Sequence, residues 1–166
     1  GSDTVYGGDG DDLVYGGLGS KINGGNFDGT IHTDSGIDTV TYESITSSVT
    51  VRLDANFAIV AATGNSDIIF GIENVIGTSF ADSIVGINST NNTLIGGAGN
   101  DILNGLSGDN RLEGGNDNDT IISGSGNNYI DGGAGNDTVD YSFLTGTDFG
   151  DDTNNVTYYK NGIYYN

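Results

Sequence analysis

The sequence predicts an all-β protein: a flattened, right-handed parallel β-helix solenoid with a hairpin-like insertion and a capping hairpin at its C-terminal end. Three observations carry this. From Gly96 to Asp140 the chain repeats every nine residues, as GGAGNDILN, GLSGDNRLE, GGNDNDTII, SGSGNNYID and GGAGNDTVD, without insertion or deletion. A period this short marks a stacked repeat architecture. Superposed, the units read G-G-x-G-x-(D/N)-x-U-x, with U the aliphatic Leu103, Leu112, Ile121, Ile130 or Val139. Finally, 34% hydrophobic residues alongside 30 glycines is thin material for a conventional globule and enough for a narrow core.

Each unit can be read from its residue types. The glycine-rich half supplies positions that tolerate positive φ, as a tight turn requires. The last three residues are strand-like, and because side chains alternate across a strand only U faces inward. One aliphatic side chain per unit cannot hold a unit alone, so stacking is obligatory. Two units, turn-strand-turn-strand, complete one coil, and residues eighteen apart then stand above one another at the strand spacing of ~4.8 Å. Asp101, Asp119 and Asp137 fall on one edge; Asn110 and Asn128 fall on the other, joined by Asn92 if the extra residue in the preceding unit is a local bulge.

The two edges differ chemically. Carboxylates stacked in a partly buried turn repel one another, and oxygen-only ligands around such a pair suit a hard cation that takes about six to eight oxygens at ~2.4 Å, which is calcium. Stacked carboxamides need no ion, because neutral Asn ladders hydrogen-bond up a column. Strong metal sites are therefore expected between Asp101 and Asp119 and between Asp119 and Asp137, with the Asn edge weak or empty.

GGDGDDLVY at Gly7 to Tyr15, GGAGNDILN and GGAGNDTVD closely resemble the GGxGxDxUx nonapeptides of the RTX (repeats-in-toxin) calcium-binding β-roll. The resemblance implies several calcium ions held by sixth-position carboxylates and by main-chain carbonyls of the second and fourth positions of stacked turns. In the main run those carbonyls belong to Gly97, Gly99, Gly115, Asp117, Gly133 and Gly135; in the N-terminal unit the matching residues are Gly8, Gly10 and Asp12. It also implies a large bacterial protein exported unfolded by a type I secretion machinery, secreted or displayed at the cell surface. The chain departs from the pattern with Asn at the sixth position of two units, Asp117 in place of the usual Gly, and Ser123 in place of the first Gly.

Composition bounds the remaining possibilities. With 23 acidic against 4 basic residues and a net charge of −19, the metal-free chain repels itself. Nucleic acid is excluded as a partner, since phosphate neutralisation needs clustered Lys and Arg; anionic membrane surfaces are disfavoured on the same ground. There is no Cys, hence no disulfide or zinc-thiolate chemistry. No apolar run approaches the ~20 residues of a membrane span. Gly1 to Tyr6 reads as the second half of a unit, which marks the chain as a piece of a longer one.

In chain order, four segments are expected. Residues 1–41 form N-terminal repeats with inward Val5, Val14 and Ile22. There Lys21 occupies a ligand position, facing solvent or pairing with Asp3 eighteen residues earlier, and a polar loop insertion at 24–35 carries the single His32 as a solvated residue. Residues 42–66 form a strand-rich insertion, in which Val49, Val51 and Leu53 alternate with Thr50 and Arg52 and FAIVAA follows a short turn, a pattern that reads as a hairpin flanking the roll. Residues 67–140 are the main roll, with Asp67 and Asp82 at ligand positions, Ile69 and Ile84 inward, and Asp82 closing the Asp edge beneath Asp101. Residues 141–166 form the cap: Asp148, Asp151 and Asp152 lie in a solvated acidic run, and two Tyr-rich strands flank Asn161-Gly162, a type I′ hairpin signal. An open solenoid end needs such a cover.

The function expected is a calcium-binding module that folds on meeting extracellular calcium. The alternative is a glycan- or protein-binding module of an adhesin or polysaccharide-modifying protein, using the loop insertion, the Val/Leu hairpin or the Tyr-rich strands. No catalytic residues are expected; with one His, no Cys and no nucleophile or nucleotide motif, any catalytic domain lies elsewhere in the parent protein.

Overall fold

The computed structural model describes residues 4–17, 21–23, 26–27, 32–33, 36–61, 63–64, 66–140, 157–160 and 163–165. The chain runs through β1 (Thr4–Tyr6), β2 (Leu13–Tyr15), β3 (Lys21–Asn23), β4 (Asn26–Phe27), β5 (His32–Thr33) and β6 (Thr39–Thr41). It continues through β7 (Val49–Arg52), a 3-10 turn (Leu53–Ala55), β8 (Phe57–Val60), β9 (Ser66–Phe70), β10 (Asn74–Ile76) and β11 (Ser83–Val85). The regular region follows as β12 (Thr93–Ala98), β13 (Ile102–Asn104), β14 (Arg111–Asn116), β15 (Thr120–Ile122), β16 (Tyr129–Ala134) and β17 (Thr138–Asp140). Last come β18 (Thr157–Lys160) and β19 (Ile163–Tyr165).

The fold is an all-β solenoid. One sheet has nine strands in the order β1-β3-β9-β8-β7-β11-β13-β15-β17, the other eight in the order β19-β18-β16-β14-β12-β10-β6-β2, and β4-β5 pair separately. From β10 to β18 the chain alternates strictly between the two large sheets, winding parallel coils. Leu94, Leu112 and Ile130 stack in register on one sheet and Leu103, Ile121 and Val139 on the other, each step eighteen residues. Val75 to Leu94 and Ile84 to Leu103 are steps of nineteen, so the extra residue sits in the turn between Ile84 and Leu94. Ser89 there adopts a positive φ of 62°, which is the bulge the sequence required. These aliphatic side chains are fully buried apart from Val139 at the last rung, which is partly buried.

Three local expectations are corrected. The Val/Leu hairpin does not flank the solenoid but lies inside it: β8 pairs antiparallel with β7 (Val51↔Ala58) and with β9 (Phe57↔Ile68), an upside-down strand within an otherwise parallel sheet. It fits because Ala58 and Val60 stay in phase with Val49 and Val51 and complete the core, while Asn56 reverses the chain in the left-handed region at φ 58°. Val5 is 37% exposed, because β1 is the edge strand of its sheet. Lys21 stands opposite Thr4 in the β1–β3 register, not opposite Asp3. The side chains of Lys21 and His32, the Asn161-Gly162 turn and the run containing Asp148, Asp151 and Asp152 lie outside the described residues.

At the other end, β18 adds parallel to β16 and β19 folds back antiparallel on β18, so a hairpin terminates the eight-stranded sheet. One buried polar pair has no repeat signature. The Tyr42 hydroxyl donates to Asp67 Oδ2 at 3.1 Å, and the Gly17 N–H donates to the same oxygen at 3.1 Å. Burial, and then the Asp67 charge, raises the Tyr42 pKa far above the ordinary phenol value.

Because Leu112 is fully buried with Leu94 and Ile130 on either side, Leu112→Ala should cost about 3 kcal/mol. The outward-facing Ile102, 47% exposed, should tolerate Ala within about 0.5 kcal/mol. Urea unfolding in saturating calcium checks both, and similar losses for the two would contradict the assigned core face.

Candidate metal centre

The main column is built by a single repeated bond. Val49 N–H donates to Asp82 Oδ1 (2.8 Å), Asp82 N–H to Asp101 Oδ1 (2.7 Å), Asp101 N–H to Asp119 Oδ1 (2.8 Å) and Asp119 N–H to Asp137 Oδ1 (3.0 Å). Each carboxylate thus ties its turn to the coil before it with one oxygen. The side chains are almost wholly buried, between 1% and 7% exposed. The second oxygen, Oδ2 of Asp101, Asp119 and Asp137, is buried and accepts no hydrogen bond. A buried charged acceptor without a donor is among the costlier states a protein can hold.

The turn backbone explains why these oxygens lack donors. At the lower end of the column Thr78 closes its turn from within: its N–H donates to Asp82 Oδ2 at 2.6 Å and its hydroxyl to Asp82 Oδ1 at 3.0 Å. The equivalent second-position residues of the regular units are Gly97, Gly115 and Gly133, at φ 116°, 114° and 83°. Their N–H groups do not reach the carboxylate; that of Gly133 donates to Asp131 Oδ1 at 3.0 Å, two residues earlier on the same strand. Only glycine serves there, since a Cβ on Gly115 would collide with the Gly97 carbonyl and one on Gly133 with the Gly115 carbonyl. At the fourth position Gly99, Asp117 and Gly135 also have positive φ (103°, 77° and 155°). Asp117 bears that conformation while its Oδ2 accepts the Gly99 N–H at 3.1 Å, linking two coils.

Among the described residues no Lys or Arg pairs with the column. The ion pairs among the described residues, Arg52 with Asp54 and Arg111 with Glu113, are solvent-exposed and local. Burial first, then the charges of Asp82, Asp119 and Asp117, pushes Asp101 up to about 7, although the Asp82 N–H works against this. Asp119 is pushed up to about 6, chiefly by burial, with Asp137 and Asp117 adding to it. Burial also raises Asp82, opposed by the Thr78 and Val49 donors. These carboxyls favour neutralisation, by a proton or by a metal.

The opposite edge is a column of amides. Asn92 N–H donates to Asn110 Oδ1 and Asn110 N–H to Asn128 Oδ1, both at 2.9 Å, so Asn92 does join the edge. The bonds that climb the column run from main chain to side chain and not from amide to amide, which departs from the ladder expected for stacked carboxamides. Below Asn92 the column turns acidic. Asp38 N–H donates to Glu73 Oε2 (2.9 Å) and Asp12 N–H to Asp38 Oδ1 (2.8 Å). Asp12 therefore belongs to this second edge and not beneath Asp101. Its turn has the open form, with Gly8 at φ 120°, Gly10 at φ 101° and a buried Asp12 Oδ2 that accepts no hydrogen bond. Sequence reasoning does not single out Glu73, although GIENVIG keeps an acid two residues before the inward Val75.

The donor set fits a hard divalent ion: oxygens only, with unsatisfied carboxylate oxygens aimed into glycine turns. Among the described residues no three His, Cys, Asp or Glu side chains converge on one point. Main-chain carbonyls must then complete any coordination shell.

Stacked nonapeptide coils that carry a column of half-satisfied carboxylates define a calcium-type repeat solenoid. The family model described as the RTX calcium-binding nonapeptide repeat (4 copies) matches residues 1–20, 87–121 and 113–142, and over those residues the chain is built of RTX repeats. That family is a structural calcium-binding module, generally without a catalytic role. No curated protein matches the chain.

The raised carboxyls fix the sign of a pH effect. Their folded-state values of about 7 and about 6 lie above the ordinary carboxylate value, so the metal-free fold binds more protons than the unfolded chain. Its stability should be fully present in acid and decline as pH rises from about 4 to about 7. Calcium must displace those protons, so its affinity should fall by up to about tenfold per pH unit and carboxyl below these values. Calcium titrations followed by circular dichroism at pH 8 and pH 5.5 check this, and a midpoint that does not move would contradict it.

Proposed function

We propose that the chain is a calcium-triggered folding module of an exported bacterial protein, itself non-catalytic. The buried Oδ2 atoms of Asp101, Asp119 and Asp137, without donors inside turns built for no side chain, carry this reading. Ions would be held between Asp101 and Asp119 and between Asp119 and Asp137. The oxygens of Gly97, Gly99, Gly115, Asp117, Gly133 and Gly135 would complete the shells, and Asp12 with Gly8 and Gly10 would form a separate seat. Asp82 closes the lower end of the Asp column, its oxygens already taken by Thr78 and Val49. When bound, each ion supplies the positive charge that the column lacks.

The rest follows from linkage. A chain of net charge −19 with one inward aliphatic per nonapeptide cannot repay its ordering entropy while its carboxylates repel. Metal binds the folded turns and hardly the open chain, so binding free energy becomes folding free energy. Affinities of ~10⁻⁴ M, within the range of extracellular modules, keep the chain open at low intracellular calcium and fold it at millimolar levels outside. An unfolded chain suits passage through a type I secretion machinery, and a folded one suits the extracellular space or cell surface. Residues 1–41, 42–66, 67–140 and 141–166 serve in this scheme as N-terminal repeats, strand-rich insertion, main roll and cap.

Asp119 belongs to two of the proposed seats. Asp119→Ala should therefore raise the calcium midpoint of folding by about tenfold or more, and Asn128→Ala should shift it far less. Circular dichroism with calcium titration reads the midpoints and calorimetry reads the number of ions. An ordered wild-type solenoid in excess chelator, or equal effects of the two substitutions, would sink the proposal.

A further inference from the structure

The turns of the two edges are alike in their left-handed second positions, although on the Asp edge the strands run on to the third turn residue (Ala98, Asn116, Ala134) and on the Asn edge they stop before the turn (Asn104, Ile122). Second positions on the Asn edge, Leu106 and Gly124, have positive φ (59° and 72°) like their counterparts on the Asp edge. The Leu106 N–H likewise leaves the turn, donating to Asn104 Oδ1 at 3.1 Å. None of these second-position N–H groups closes its turn, whereas the first turn of each column is closed that way, by the Thr78 N–H on Asp82 and by the Ile87 N–H on Asn92 Oδ1 at 2.9 Å. The sixth-position side chains also reach the same place. A Cβ built on Gly105 would stand 3.0 Å from Asn110 Nδ2, and one built on Gly96 or Gly114 would collide with Asp101 or Asp119 Oδ2.

What occupies that place decides how the turn is satisfied. The N–H of Asn92 requires an oxygen opposite it and so fixes the orientation of the Asn110 amide. Asn110 Nδ2 then donates to the carbonyls of Gly105 (3.1 Å) and Gly108 (3.0 Å), the first and fourth positions of its own unit. Asn128 Nδ2 repeats the fourth-position bond to Gly126 O at 3.3 Å. On the Asp edge the same point of the turn carries Oδ2, an acceptor with nothing to accept from.

We infer that the Asn110 and Asn128 carboxamides are fixed, covalent stand-ins for the metal. The calcium requirement of the regular coils then resides on the Asp edge alone, and Asn at 101, 119 and 137 would convert that edge into a metal-independent one. The assignment rests on the calcium reading above. It goes further in making the sixth-position side chain, not the glycine turn, the determinant of whether an edge needs metal. An amide keeps the Oδ1 bond to the coil before it and replaces ion–carbonyl attraction with N–H donation. Ala would lose both.

The test uses the full chain in three forms: wild type, Asp101→Asn/Asp119→Asn/Asp137→Asn, and Asn110→Asp/Asn128→Asp. Circular dichroism and amide hydrogen exchange are followed in excess chelator and across a calcium titration, with the matching triple Ala variant as control. The triple Asn variant is expected to protect residues 96–140 in chelator while the triple Ala variant does not. The reverse double variant is expected to bind additional calcium and to need at least tenfold more of it to fold. If wild type is disordered in chelator and the triple Asn variant is too, the inference is overturned while the calcium reading stands. If wild type is ordered in chelator, the calcium-triggered reading fails and the double variant decides. A newly acquired calcium requirement supports the amide stand-in, and none overturns it.

Discussion

The bond from a main-chain N–H to the sixth-position side chain one coil later is the constraint from which the rest of the molecule follows. It takes one oxygen of each carboxylate or amide and spends it on stacking, in every regular turn from Asp82 to Asp137 and from Asn92 to Asn128. Stacking is what gives a one-aliphatic unit a core at all. The bond cannot satisfy the remaining atom of the same side chain, however, and that atom sits where water does not reach. Three arrangements occur in one chain: an inward N–H from Thr78 or Ile87, an amide that supplies its own donors, and, where Asp meets a left-handed glycine turn, a buried oxygen without a donor.

That arrangement links local backbone to global behaviour. Gly97, Gly115 and Gly133 are usually read as turn formers, and they are. Their deeper effect is to rotate a donor out of the site: burial raises Asp82 and Asp101 alike, but the Thr78 and Val49 donors oppose it at Asp82, while Asp101, opposed by the Asp82 N–H alone, is raised to about 7. The metal site is thus made by removing a hydrogen bond as much as by adding ligands. Asp117 shows the tolerance of the scheme: a residue with a Cβ can hold the left-handed fourth position while its own carboxylate helps bridge two coils.

Much of this was legible in the residues. The nine-residue spacing fixed which aliphatics face inward and which polar residues share an edge, and the eighteen-residue rule placed Asp101, Asp119 and Asp137 in one column. The ten-residue step to Leu94 signalled the bulge that brings Asn92 into line. What escaped sequence reading was whatever depends on strands far apart in the chain. The inverted β8 uses the same alternation of apolar residues as a flanking hairpin would, so pattern alone cannot tell the two apart. Tyr42 and Asp67 meet across 25 residues and carry no periodic signal. Asp12 looked like any other ligand of the repeat; its placement on the second edge depends on how β2 docks against β6.

The inverted strand also divides the molecule by how it can be varied. In the regular coils one rung is eighteen residues and touches only its neighbours, so whole coils could be inserted or deleted there as interchangeable parts. Between β6 and β10 the chain lays β7 beside the later β11 and then sends β9 back beside the much earlier β3. Each of β7, β8 and β9 is hydrogen-bonded on both sides, so none can be lifted out without opening the sheet, and natural length variation in relatives of this architecture should concentrate above it.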